Sequence, residues 1–222
     1  PLRRGFSTGA GAAAAAQAAV RALYGPPPTV GQLVRVLSPA GILALPLAEV
    51  EVAGGREWAR AGVVKDGGDD PDVTSGLLIR VEAWPEDSGI TIEGGIGVGV
   101  VTKPGLPVAV GEPAINPAPR RMIRRALRQV WEKINPGKPL RLEVEIFAPE
   151  GEALARRTLN PRLGVVGGIS ILGTTGLVKP FSHAAYRATI IMSLRVARAS
   201  GLKKIVLTTG SKSEEHMRAH LP

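Results

Sequence analysis

Short runs of branched apolar residues bounded by Gly, Pro or Asp fill the first two thirds of the chain and predict strands at 34–37, 42–47, 50–52, 77–84 and 90–92. Three stretches break this pattern with helical character. Residues 11–24 are strong helix formers, with Ser7 or Thr8 placed to cap them and Gly25-Pro26 to end them. From about 119 to 134, the residues Ile123, Leu127, Val130 and Ile134 share one face. Asn135-Pro136-Gly137 closes that helix before an alternating strand at 140–147. A last helix spans 183–200 and stops at Gly201. It leads into a strand of the βα type at 204–209, the turn Gly210-Ser211 and one short polar helix. The expected class is α+β: a two-layer, strand-rich α/β sandwich body over 1–180, then the start of a Rossmann-like lobe over 181–222 that is incomplete.

Composition narrows the partners more than the fold. With 222 residues the chain can bury a full core as one large or two small domains, and its 44% hydrophobic residues suit a globular protein rich in Ala, Val and Leu. It has no cysteine, which excludes disulfides, thiolate nucleophiles and Cys-ligated zinc. A formal charge of +9 asks for an anionic partner: nucleic acid, an acidic small molecule or a membrane surface. No segment has the apolar length of a membrane span. Arg3-Arg4-Gly5-Phe6 before an alanine run imitates a twin-arginine export signal, but Gln17 interrupts the run and Arg21 follows too soon. Nucleic acid is disfavoured by the lack of a recognisable binding motif and by the few aromatic residues available for stacking.

The chemistry concentrates in glycine-rich and charged stretches. Residues 158–176, TLNPRLGVVGGISILGTTG, combine glycines with hydroxyls and an amide around two apolar runs, which brings backbone close to a ligand or lets strands cross tightly. Gly168 and Gly173 have P-loop spacing, but Thr174 and Thr175 follow where Lys and Ser or Thr are required, so no triphosphate site is expected. Glu93, Gly95, Gly97 and Gly99 spell a methyltransferase-type Rossmann fingerprint. The prolines at 104, 107, 113 and 117 preclude the helix that must come next, leaving a glycine-rich strand or loop.

Charged residues cluster twice. VKDGGDDPDVT places Asp66, Asp69, Asp70 and Asp72 in seven residues without the spacing of a calcium loop. Such mutually repelling carboxylates need a cation or backbone donors, either in a turn or in a site wall. Arg120, Arg124 and Arg128 share a helix face at i, i+4 spacing, as a solvated face or as a docking surface for carboxylate or phosphate. His216 and His220 are four apart on the last helix with no third ligand well placed, so no metal site is expected.

Four blocks together resemble the CbiD family, the cobalt-precorrin-5B C(1)-methyltransferases of anaerobic cobalamin biosynthesis. They are RRGFSTGAGAAAAAQAA at 3–19, VVKDGGDDPDVTSG at 63–76, GGIGVGVVTKPGLPVAVGEPAINPAPRRMI at 94–123, and TLNPRLGVVGGISILGTTGLVKPFS from 158. The family usually has Thr and Cys where this chain has Ala10 and Gly11, and its members continue well beyond His220. The resemblance implies a cytoplasmic enzyme that transfers a methyl group from S-adenosylmethionine to ring carbon C(1) of a cobalt corrinoid, with cobalt present only as part of the substrate. It gives the basic charge a partner, the carboxylates of a large flat macrocycle. By that reading Gly168, Ser170, Gly173, Thr174 and Thr175 approach the methyl donor or a substrate carboxylate. Lys103, Arg120 and Arg124 bind substrate carboxylates, and Asp66, Asp69 and Asp70 are the candidate acids or bases. Other cobalamin-pathway enzymes and a second copy of the chain are further candidate partners. The competing expectation is a non-catalytic protein that binds an anionic tetrapyrrole or RNA.

Overall fold

The structure, a computed structural model, describes residues 2–220. In chain order the strands are β1 (Gly5–Phe6), β2 (Leu33–Ser38), β3 (Gly41–Pro46), β4 (Glu49–Val52), β5 (Ala59–Val64), β6 (Leu78–Pro85), β7 (Ile90–Gly94), β8 (Gly97–Val98), β9 (Val100–Val101), β10 (Leu142–Phe147), β11 (Val165–Val166), β12 (Gly168–Ile169) and β13 (Leu177–Val178). The helices are α1 (Thr8–Tyr24), α2 (Pro117–Ile134), α3 (Gly151–Ala155), α4 (Asn160–Leu163), α5 (His183–Ala199) and α6 (Ser211–His220).

The alanine run becomes the centre of the molecule. Ala12 to Ala16 and Ala19 on α1 are completely buried, because a helix of methyl-sized side chains lets neighbours close on it from every side. The Ser7 hydroxyl caps α1 by accepting from the Ala10 N–H at 3.2 Å. At the far end the Arg56 guanidinium donates to the carbonyls of Leu23 (3.0 Å) and Gly25 (3.1 Å), a cation at the negative end of the dipole.

One face of α1 lies on a five-stranded sheet ordered β4-β5-β6-β10-β7, antiparallel except for the β10–β7 pair. Inward residues alternate with outward ones: Ala61, Val63, Ile79, Val81, Val144 and Ile146 are buried beneath the helices. Strand β5, ARAGVV, carries little branched bulk and was not expected from the pattern. Its small inner residues, Ala59 and Ala61, are what the alanines of α1 require for close approach. Helix α2 runs beside α1 in the same direction. Pro119 lies against Gly9 at one end, Ile134 against Gly25 at the other, and the Tyr24 and Trp131 rings meet edge to face with centroids 4.9 Å apart. The β2–β3 hairpin packs against both helices.

The outer face of the sheet is charged. Glu51, Arg60, Glu82, Glu145 and Glu93 stand opposite one another across successive strands. Arg60 lies between Glu51 (3.0 Å) and Glu82 (2.5 Å). Glu145 has only carboxylates across from it. Burial first, then Glu143, Glu82 and Glu93, raise its pKa above the ordinary glutamate value.

The carboxy-terminal residues depart from expectation. Helix α5 forms with Ser182 as its cap, but 204–209 is not a strand. A βα-type strand needs a parallel neighbour to complete its ladder, and none lies beside it among the described residues. Residues 181–220 are therefore helix, irregular segment and helix, without a Rossmann sheet, and Leu207 is left 73% exposed. No described helix is long and apolar enough to cross a membrane.

Candidate functional site

Residues 3–9, the segment that enters α1, join the acidic loop at 66–72 to the glycine-rich run at 158–176. On one side Arg4 bridges Gly68, the Phe6 N–H donates to the Asp66 carbonyl (2.8 Å), and the Asp69 N–H donates to the Arg3 carbonyl (3.0 Å). On the other side β1 pairs with β13, the Ser7 N–H donates to the Gly176 carbonyl (2.9 Å), and the Gly9 N–H donates to the Leu172 carbonyl (3.0 Å). Thr8 completes the link. Its hydroxyl accepts from the Leu172 N–H at 2.9 Å and lies 3.2 Å from the Ser170 carbonyl.

Each aspartate of the 66–72 loop has found the compensation that its crowding demands. Asp66 takes a two-pronged ion pair from the Arg3 guanidinium and a 2.8 Å bond from the Gly68 N–H. That pair, with the Gly68 bond, holds its carboxyl below the ordinary aspartate range. Asp69 Oδ2 accepts from the Arg3 N–H at 2.6 Å. Asp70 Oδ1 accepts from the Phe181 N–H at 3.0 Å. Asp72 pairs with Lys65 and accepts from the Thr74 N–H (2.8 Å) and hydroxyl (2.6 Å). Burial pushes Asp72 upward, but Lys65 and Thr74 outweigh it and keep the carboxyl low. Lys65 itself is almost wholly buried, since the inward alternation of β5 through Val63 continues to it.

Along most of its length the glycine run packs against other protein segments. Strand β12 crosses β8 so closely that a Cβ at Gly168 would collide with the Gly97 carbonyl. The Ser170 hydroxyl donates to Asn160 Oδ1 (3.1 Å), and Asn160 Nδ2 donates to the Gly168 carbonyl (2.9 Å). Gly173, at φ +121°, leaves the room that Ser7 occupies. Thr174 and Thr175 are different, being exposed between Gly173 and Gly176, which both lie against Ser7. The fingerprint-like glycines at 94–99 likewise form the end of β7 and the β8 crossing, with no helix after them.

The three basic candidates lie apart from this hub in different degrees. Arg120, on the first turns of α2, donates to the carbonyls of Ile115 (3.1 Å) and Ile92 (3.0 Å) and faces Glu112 at 3.8 Å. Arg124 donates to the Ile90 carbonyl at 3.3 Å. Ile90 and Ile92 turn these carbonyls away from β10, so the two arginines cover the open edge of the sheet. Lys103 is exposed beside Gly164.

Sequence reasoning passed over three residues of the hub. Arg3 and Arg4 were legible as an export-like pair and as the head of a family block, with no role of their own. Phe181 stood in the fourth family block but was given no role, yet it holds a left-handed backbone, φ +51°, and is 66% exposed. An aromatic residue adopts that conformation at a cost of about 1–3 kcal/mol, and Asp70 pins it there.

Comparison with known proteins places this geometry. A profile of the CbiD family matches residues 1–180. The chain is 49% identical over 223 residues to a cobalt-precorrin-5B C(1)-methyltransferase of Geobacillus kaustophilus, covering 100% of this chain and 58% of that protein. It is 51% identical over 222 residues to the protein of the same name from Thermus thermophilus, covering 99% and 57%. The 1.9 Å crystal structure of a cobalamin biosynthesis protein (cbiD) from Archaeoglobus fulgidus superposes with a TM-score of 0.62 at 34% identity, over 100% of this chain and 68% of that one. The chain thus spans a little under three fifths of the length of these curated relatives. The blocks that meet at residues 3–9 fall within the matched region, and by its sequence and its fold the chain belongs to the CbiD family.

Proposed function

We propose that this chain carries out, as part of a cytoplasmic S-adenosylmethionine-dependent methyltransferase, the methylation of ring carbon C(1) of cobalt-precorrin-5B in cobalamin biosynthesis. One observation supports this above the others: the identity of about half extends over essentially the whole chain to relatives bearing that name. Cobalt enters only within the substrate.

The residues fit a methyl donor laid along the surface of the hub rather than one threaded through the glycine crossing. Gly168 and Gly173 already have their space filled by protein, whereas the Thr174 and Thr175 side chains and the Phe181 ring are exposed at opposite ends of the β1–β13 ladder. A flat ring stacks on an aromatic face, and hydroxyls bind ribose or carboxylate oxygens. In this reading Gly168, Ser170 and Gly173 shape the backbone that presents the two threonines. S-adenosylmethionine bound there would supply an electrophilic methyl group. The chain's part is to align the ring carbon behind it and to exclude water.

Asp66 is committed to its pair with Arg3, which holds its carboxyl below the ordinary aspartate range, and Asp66, Asp69 and Asp70 are the carboxylates within reach of a proton on the macrocycle in this reading. Lys103 is available for a substrate carboxylate. Arg120 and Arg124 keep uncommitted N–H groups, since a guanidinium has five donors and these spend two and one on carbonyls.

Transfer of labelled methyl from S-adenosylmethionine to the corrinoid tests the reading. Label should enter the corrinoid, and Thr174→Ala with Thr175→Ala should weaken donor binding by about tenfold in calorimetry with an unchanged melting temperature. Donor affinity equal to that of the parent chain would remove these threonines from the site. Absence of transfer with both ligands bound would deny the activity to this chain.

A further inference from the structure

A cleft unused by the reading above opens between the carboxy-terminal halves of α1 and α2 and the β2–β3 hairpin, with a volume of about 720 Å³. Its lining residues Gln17 and Arg21 lie roughly 14–20 Å along α1 from Thr8 at 1.5 Å per residue, so it is separate from the hub. The volume is that of a site for a small organic molecule. Its floor is apolar, made by Pro26, Leu37, Ile42, Val130 and Ile134. Ile42 is 70% exposed, an apolar wall left open by the described residues.

The rim is cationic: Arg21, Arg35 and Lys133 stand against the single carboxylate of Glu132. None of the three joins an ion pair among the described residues. Arg21 is not needed at the end of α1, where Arg56 already holds the last carbonyls. Gln17, which lines the cleft, has a buried Oε1 without a hydrogen-bond partner. An amide held by no protein group turns about its soft torsions without losing a bond, and gains one when it meets a donor.

We propose that this cleft is a second binding site, for an amphipathic organic anion: an apolar ring body over the Leu37–Ile42 wall, acidic groups on Arg21, Arg35 and Lys133, and an N–H donor for Gln17. The probe 8-anilinonaphthalene-1-sulfonate carries all three features, and 1-naphthalenesulfonate lacks the N–H. The anilino probe should bind one per chain, shift the methyl resonances of Ile42 and Leu37, and bind more weakly as salt rises. Reversing two exposed cations, Arg35→Glu with Lys133→Glu, should weaken it by about tenfold or more while the melting temperature holds. Gln17→Met should weaken the anilino probe by about three- to fivefold and leave 1-naphthalenesulfonate unchanged. A dissociation constant within about twofold of the parent after the double reversal overturns the proposal, as does a methyl shift confined to residues outside the cleft. Neither result touches the methyl-transfer reading, which uses none of these residues.

Discussion

Lys65 and Asp72 make the costliest local commitment in the chain. The side chain of Lys65 is 2% exposed and its ammonium has one carboxylate partner among the described residues, so the pair stands or falls together. Asp72→Asn leaves a buried ammonium unpaired and should cost about 3–5 kcal/mol, whereas adding Lys65→Met should recover most of the loss. The pH dependence has a definite sign. The folded pKa of Asp72 lies below its ordinary 3.8, so its contribution is present above that value and is lost as pH falls through the lowered folded pKa. Urea denaturation should therefore show the gap between parent and Asp72→Asn at pH 7 narrowing once the pH drops below about 3.8. A gap of equal size under strongly acid conditions would mean that packing, not charge, ties Lys65 to the loop.

At the level of elements, α2 serves the sheet as well as the core. Of the stripe legible from spacing, Ile123, Leu127 and Val130 are buried and Ile134 is half-buried, while Met122 and Ala126 join them unannounced; the row of arginines was legible too. The work of Arg120 and Arg124 on the edge of β7 was not, because the carbonyls they cover belong to residues 28 and 34 positions away. Arg120→Ala with Arg124→Ala should lower stability by about 1–3 kcal/mol and expose an edge that recruits other strands. Light scattering should then show association that grows with protein concentration. If the pair acts only on substrate, the variant stays monodisperse with an unchanged melting temperature and loses only substrate KM.

For the molecule as a whole, residues 2–180 and 181–220 differ in how they are held. Among the described residues of α5 only Val196 is buried. The contact runs through α4, Gly105 and the Phe181 N–H bond to Asp70, with a surface pair from Arg162 to Glu214 at 2.8 Å that contributes about 0–1 kcal/mol. We propose that 1–180 is the folding unit. A chain ending at Pro180 should melt cooperatively within about 5 °C of the parent in scanning calorimetry, and loss of the transition would make the second segment part of the core.

Local order was written in the sequence where a single element could express it. Alanine propensity, a serine cap, branched runs and the spacing of Ile123, Leu127 and Val130 act over one turn or one pleat, and they placed α1, α2, α5 and most long strands. The run Ile205 to Leu207 had the same local signature and still made no strand, since a ladder needs a neighbour. Strand β5 is the converse, poor in branched residues and formed because α1 needs small residues beneath it. The candidate site belongs to this second kind. Its acidic loop asked for compensation, but that Arg3, 63 residues away, would answer Asp66, and that Ser7 would fill the space at Gly173, depends on where whole elements pack. Whether a charge or a glycine faces solvent, a ligand or another strand is a property of its neighbours in space, and only the tertiary structure decides it.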